Sequence, residues 1–186
     1  MELHRSVSGY FHEVLTEALT AQKVEAGEPT EFYLVNLLTE FTATPQLMDE
    51  PLSLRLAETT TASPAERRRG LKEIGDTSLY VSGFFADSLA RRMVGVEYYM
   101  SIGERAYSQL AHVAGGDHGE VYDELADKFT RFVDVLAEIR GRTNIAGSTN
   151  LLRLYEAWLE TGSDWMERRL RAAGMIDPAA ARRGSH

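Results

Sequence analysis

Glu73, Asp76, Tyr80, Phe84 and Asp87 recur at three- and four-residue steps, a spacing that sets them along one side of a helix. Tyr99 and Tyr107 follow eight residues apart, two turns along one side of the next helix. Carboxylates beside aromatic rings on close-packed helices can line a ligand pocket, and burial can raise a carboxyl pKa far enough for acid–base work. Asp76, Tyr80, Phe84, Asp87, Tyr99 and Tyr107 are therefore the candidate pocket residues, within residues 76–107. The competing use of the same groups is interhelical hydrogen bonding at the margin of a core, which is the commoner one.

Other chemistry finds less support. A di-metal oxidase built on a helical bundle presents Glu-x-x-His on facing helices. His4, His12, His112 and His118 have no Asp or Glu three or four residues away, so neither a metal site nor a cofactor is expected. A haem on one axial histidine would leave little trace of this kind. Gly141 and Gly147 are one residue too far apart for a phosphate loop, and the lysine is missing. That segment reads as a polar connection ending in a helix cap. Gly115 to Gly119 reads as a turn and a cap, and Arg67-Arg68-Arg69 as a solvated helix face beside Glu66 and Glu73. With no cysteine, thiolate chemistry is impossible.

Charge narrows the partners. The net charge is −8, and residues 1–62 hold 3 basic against 10 acidic side chains. A nucleic-acid binder needs a basic face, so no nucleic-acid partner is expected. The most apolar stretch, Phe32 to Leu38, contains Asn36 and is far short of the ~20 residues of a membrane span. The opening residues lack the pattern of a secretory signal, and the expectation is a soluble, cytoplasmic protein. Seventeen arginines against three lysines point to a GC-rich, bacterial genome, and Arg183-Gly184-Ser185-His186 resembles a purification scar.

The elements that must position these residues are helices. Apolar side chains repeat with a period near 3.6, predicting an all-α, single-domain bundle of six to seven helices over residues 1–177, with a tail over 178–186 and no significant sheet. The first helix covers about 4–25, with Gly27 as its stop and Pro29 in the first turn of the next. Helix 30–42 is apolar nearly all round, which predicts a central position. Leu52, Leu54 and Leu56 fit either a short helix opened by Pro51 or a strand. The strand would have no partner, which favours the helix.

Ser63-Pro64-Ala65-Glu66 is a capping box, and its helix is expected to run to about Arg92. Further helices are expected over 95–114 and 118–140, the second opened by a capping box of Asp117 and Glu120. A last helix begins near Ser148 and carries Trp158 and Trp165. Gly75, Ser78, Ser82 and Ala86 on one helix, and Gly95 and Gly103 on the next, predict axes that approach closely.

These features favour a non-enzymatic interaction or regulatory module. Aromatic-rich faces broader than one core requires point to a homo-oligomer, with a further protein partner open to it. The alternative is a small-molecule-binding protein or enzyme whose pocket lies within residues 76–107.

Overall fold

The computed structural model describes residues 2–43, 51–86 and 95–143. The expected last helix, both tryptophans, Asp87, and the ends of the expected domain and tail all lie outside the described residues.

Seven helices run through the described residues, which contain no strand: α1 Glu2–Gln22, α2 Glu28–Ala43, α3 Leu52–Glu58, α4 Pro64–Phe84, α5 Val96–Ala114, α6 Gly116–Asp127 and α7 Phe129–Thr143. The described part of the chain is all-α, as its periodicity predicts. Residues 1–143 fall in one compact unit. Within it α4 packs against α5, α7 and α3, while α1 packs against α2 and α7, and α6 joins α5 to α2.

The local signals explain most of the ends. Ser63 caps α4: its hydroxyl accepts the Glu66 amide, and the Glu66 carboxylate accepts from the Ser63 amide at 3.1 Å, with Pro64 beginning the helix. Pro51 precedes α3, whose Leu52 is buried and whose Leu54 is exposed, the one-sided pattern of a surface helix.

α1 ends earlier than Gly27. Lys23 takes a positive φ of 54°, the Val24 amide donates to Leu19 O at 2.9 Å, and the Lys23 amide donates to Thr20 O at 3.1 Å. This is a Schellman ending with lysine in the place usually held by glycine, closed by the buried contact partners Leu19 and Val24. Gly27 instead precedes α2, its carbonyl accepting the Glu31 amide at 2.9 Å.

Three further boundaries differ from expectation. α4 ends at Phe84 and not near Arg92, because Phe85, at φ −124° and ψ 17°, has left the helical region. Asp117 and Glu120 do not form a capping box: α6 starts at Gly116, its N-cap is Gly115, and no side chain caps it. Gly115 has φ 64° and ψ 170°, a conformation essentially reserved to glycine, so the helix is entered two residues before the expected cap at Asp117. The single helix expected over 118–140 is two, divided at Lys128, where φ −106° and ψ 19° leave the helical region. Lys128 reaches back across this bend, its Nζ donating to Glu25 O and to Glu124 Oε1, both at 2.8 Å.

The helical segment buried on every side is the second half of α4, not α2. Every residue from Ile74 to Phe84 is buried, including Thr77, Ser78 and Ser82. α2 buries Leu34, Val35, Leu37, Leu38 and Phe41 but leaves Phe32 67% exposed. Small residues make the central position of α4 possible. A Cβ on Gly75 would stand 2.5 Å from Tyr107 Cε1, one on Gly83 would stand 2.5 Å from Leu136 Cβ, and one on Gly103 would stand 2.6 Å from Ser78 Cβ and 2.7 Å from Phe129 Cε2. The small faces are therefore filled by large side chains from α5 and α7.

Gly103→Ala will lower stability by about 1–3 kcal/mol, because overpacking outweighs the better helix propensity of alanine. Gly9→Ala, where an added methyl meets nothing within 4 Å, will raise stability by about 0.5–1 kcal/mol. Urea midpoints of the two variants, moving in opposite directions, check this.

Candidate functional site

Asp76 sits in the buried part of α4, 4% exposed. Its Oδ1 accepts hydrogen bonds from the Tyr33 hydroxyl of α2 and, at 2.7 Å, from the Tyr107 hydroxyl of α5. Its Oδ2 accepts from Lys72 Nζ, one turn back on α4, at 2.7 Å. The Lys72 ammonium also lies 5.3 Å from the centre of the Tyr33 ring, a cation–π distance.

Tyr122 of α6 completes the cluster, edge-on to Tyr33 at 5.6 Å and stacked on Tyr107 at 6.2 Å. One carboxylate thus collects donors from three helices, with a fourth helix held by ring contacts. Gly75 makes this possible, since Tyr107 lies where a side chain at position 75 would be.

The electrostatics follow from burial around one charge. Burial drives the Tyr107 phenol well above its ordinary pKa, and the Asp76 charge adds to the effect. Tyr33 moves up for the same two reasons in the same order, together with its hydrogen bond to Asp76. Tyr122, half-buried, moves up by burial, with Lys72 opposing. Burial pulls Lys72 down, but the charge and hydrogen bond of Asp76 outweigh it, and the net shift is upward. At neutral pH the phenols are therefore neutral and the Lys72 ammonium is charged.

Energies indicate what such a cluster does. Desolvating a carboxylate costs several kcal/mol, and hydrogen bonds to charged groups return about 1.5–3 kcal/mol each. Three of them roughly cancel the cost. The arrangement fixes where α2, α4 and α5 meet more than it adds net stability. Its oxygens are engaged by the fold, which leaves them poorly placed for proton transfer to a substrate.

The other candidate residues lie elsewhere. Tyr80 and Phe84 are buried in a separate stack, with Phe41 and Phe84 each 4.6 Å from Tyr80. Tyr99 packs edge-on against Tyr98 at 5.4 Å. Asp87 lies outside the described residues. Asp76 and Tyr107 are the two that the structure brings into hydrogen-bond contact. Sequence reasoning passed over Tyr33, Lys72 and Tyr122. Lys72 stands four residues before Asp76, an i,i+4 pair visible in the sequence. Nothing local marks Tyr33, 43 residues away.

No known protein family, curated protein or solved structure matches the chain.

A second long-range carboxylate supports the first. Glu124 of α6 accepts the Gly27 amide at 3.1 Å and the Thr30 hydroxyl at 2.6 Å, and so caps α2 from another helix. Burial would raise its pKa, but the bonds from Lys128, Thr30 and Gly27 outweigh this and hold it low. Among the described residues no three His, Asp or Glu side chains converge as a metal-ligand set. No described helix is long and apolar enough to cross a membrane.

The phenols supply a pH test. Their folded pKa values are raised, so their contribution is complete below the unfolded tyrosine value of about 10. It is lost as pH rises above that value, because unfolding then releases protons. Absorbance at the tyrosinate band will show Tyr33 and Tyr107 ionising only together with the loss of helical circular dichroism. Tyr33→Phe/Tyr107→Phe will lack that coupled fraction.

Proposed function

We propose that the chain is a non-enzymatic helical interaction module that works as a homo-oligomer through the outer face of α2. The observation that carries this reading is Phe32, 67% exposed in the middle of an otherwise polar row of Glu28, Asn36 and Glu40. Its ring gains from being covered, at about 25 cal/mol per Å² of apolar area removed from water. Tyr10 and Leu54, also exposed, add apolar surface on α1 and α3. The engagement of Asp76 by the fold supports the same reading, since it ties up the one carboxylate of the candidate pocket among the described residues.

The reading extends to a bacterial source, supported by the excess of arginine over lysine, and to a cytoplasmic setting. A further protein partner would meet the same face. Charge sets how association responds to salt. Each copy carries −8, and two copies repel at low ionic strength, so screening strengthens their contact.

Sedimentation velocity at micromolar concentration tests the proposal. The wild type is expected to sediment above the 20.8 kDa of one chain, increasingly so with added salt, and Phe32→Ser as a monomer with unchanged circular dichroism. A wild type that stays monomeric at all concentrations and salt levels would overturn the homo-oligomer and the reading built on it.

A further inference from the structure

The ammonium of Lys72 occupies a place that is largely shaped by other residues. Asp76 supplies a carboxylate oxygen at 2.7 Å, and Tyr33 supplies a ring face at 5.3 Å. Tyr122 stands edge-on to Tyr33 at 5.6 Å and backs that ring. A carboxylate beside aromatic faces is the chemistry that recognises alkylammonium ions. The carboxylate end is closed, with the Asp76 side chain 6% exposed. The lysine end is open, with the Lys72 side chain 41% exposed. Among the described residues Asp76 is the only hydrogen-bond partner of Lys72, so rotation about its own side-chain bonds is enough to clear the place. Lys128 and Glu124 form the same four-residue pair at 2.8 Å, but Lys128 also donates to Glu25 O across the bend and is tied in on two sides.

We propose that Asp76, with the ring of Tyr33, forms a binding site for a primary alkylammonium ion that Lys72 occupies from within the chain. Lys72 acts as a tethered plug, held at a high effective concentration, and an external amine competes with it for Asp76 Oδ2. The site selects a primary ammonium because that oxygen needs an N–H donor once Lys72 leaves. A quaternary ammonium would satisfy the Tyr33 ring and leave the buried carboxylate oxygen unpaired. With Lys72 swung out, Asp76 is left without its cation. This property is independent of self-association through Phe32, which lies on the exposed row of α2 and takes no part in it.

Thermal melting of Lys72→Ala tests the site, with n-butylammonium chloride as the probe. The comparisons are equal concentrations of sodium chloride, tetramethylammonium chloride and n-butanol. The amine is expected to raise the melting temperature of Lys72→Ala by several degrees above all three. It should leave the wild type and Lys72→Ala/Asp76→Asn no different from their sodium chloride controls. An equal response to n-butanol or tetramethylammonium, or no response, would overturn the proposal. If Lys72→Ala does not fold in salt alone, refolding from urea gives the same comparison. Recovery of helical circular dichroism in the amine alone supports the site, and failure to recover in either solution contradicts it.

Discussion

A carboxylate taken out of water has to be met by donors, and Asp76 is met by groups from three helices. Tyr33 arrives from α2, Tyr107 from α5 and Lys72 from α4 itself. Because an unpaired buried charge costs several kcal/mol, these helices cannot slide or rotate past one another without losing a bond to it. The packing nearby respects that constraint. Gly75 gives the Tyr107 ring its place, and Gly103 lets α5 close on Ser78 and Phe129. Glu124 repeats the device at the start of α2, where it accepts the Gly27 amide and the Thr30 hydroxyl. Two carboxylates on two helices thus hold the first turns of α2, at Gly27, Thr30 and Tyr33.

The sequence is informative where the signal is local. The Ser63 box, the end of α5 at Gly115 and the close approach implied by Gly75 and Gly103 all follow from a few adjacent residues. The sequence misleads where tertiary contacts decide. α4 reads as a polar helix with a sprinkling of small residues, yet Ile74 to Phe84 is buried throughout. Gly, Ser and Thr are small enough to be buried without contributing an apolar signal. α2 reads as buried on all sides and leaves Phe32 in water. The division at Lys128 has no glycine or proline to announce it, and its reach to Glu25 spans 103 residues. Both members of the Asp76–Tyr107 pair were within reach of helical spacing alone. Tyr33 was not, since its role depends on where α2 docks.

The same physics divides what the fold uses from what it leaves available. Asp76, Tyr33 and Tyr107 are bonded inward, and Tyr80 and Phe84 are stacked inward with Phe41. Two features point outward. Phe32 exposes an apolar ring that association would cover, and Lys72 keeps an open flank on a cation site that it fills itself. One suits a protein surface and the other an ammonium ion, and neither requires bond-breaking chemistry.

The central claim is that Asp76 and its tyrosines act as one unit. A double-mutant cycle of Asp76→Ala and Tyr107→Phe, measured by urea unfolding, tests it most directly. Asp76→Ala leaves two phenols and an ammonium without their acceptor, and Tyr107→Phe leaves a buried carboxylate short of a donor. The account predicts that the two losses overlap, with a coupling energy of about 1–3 kcal/mol. Losses that add to within about 0.3–0.5 kcal/mol, as for independent sites, would contradict it.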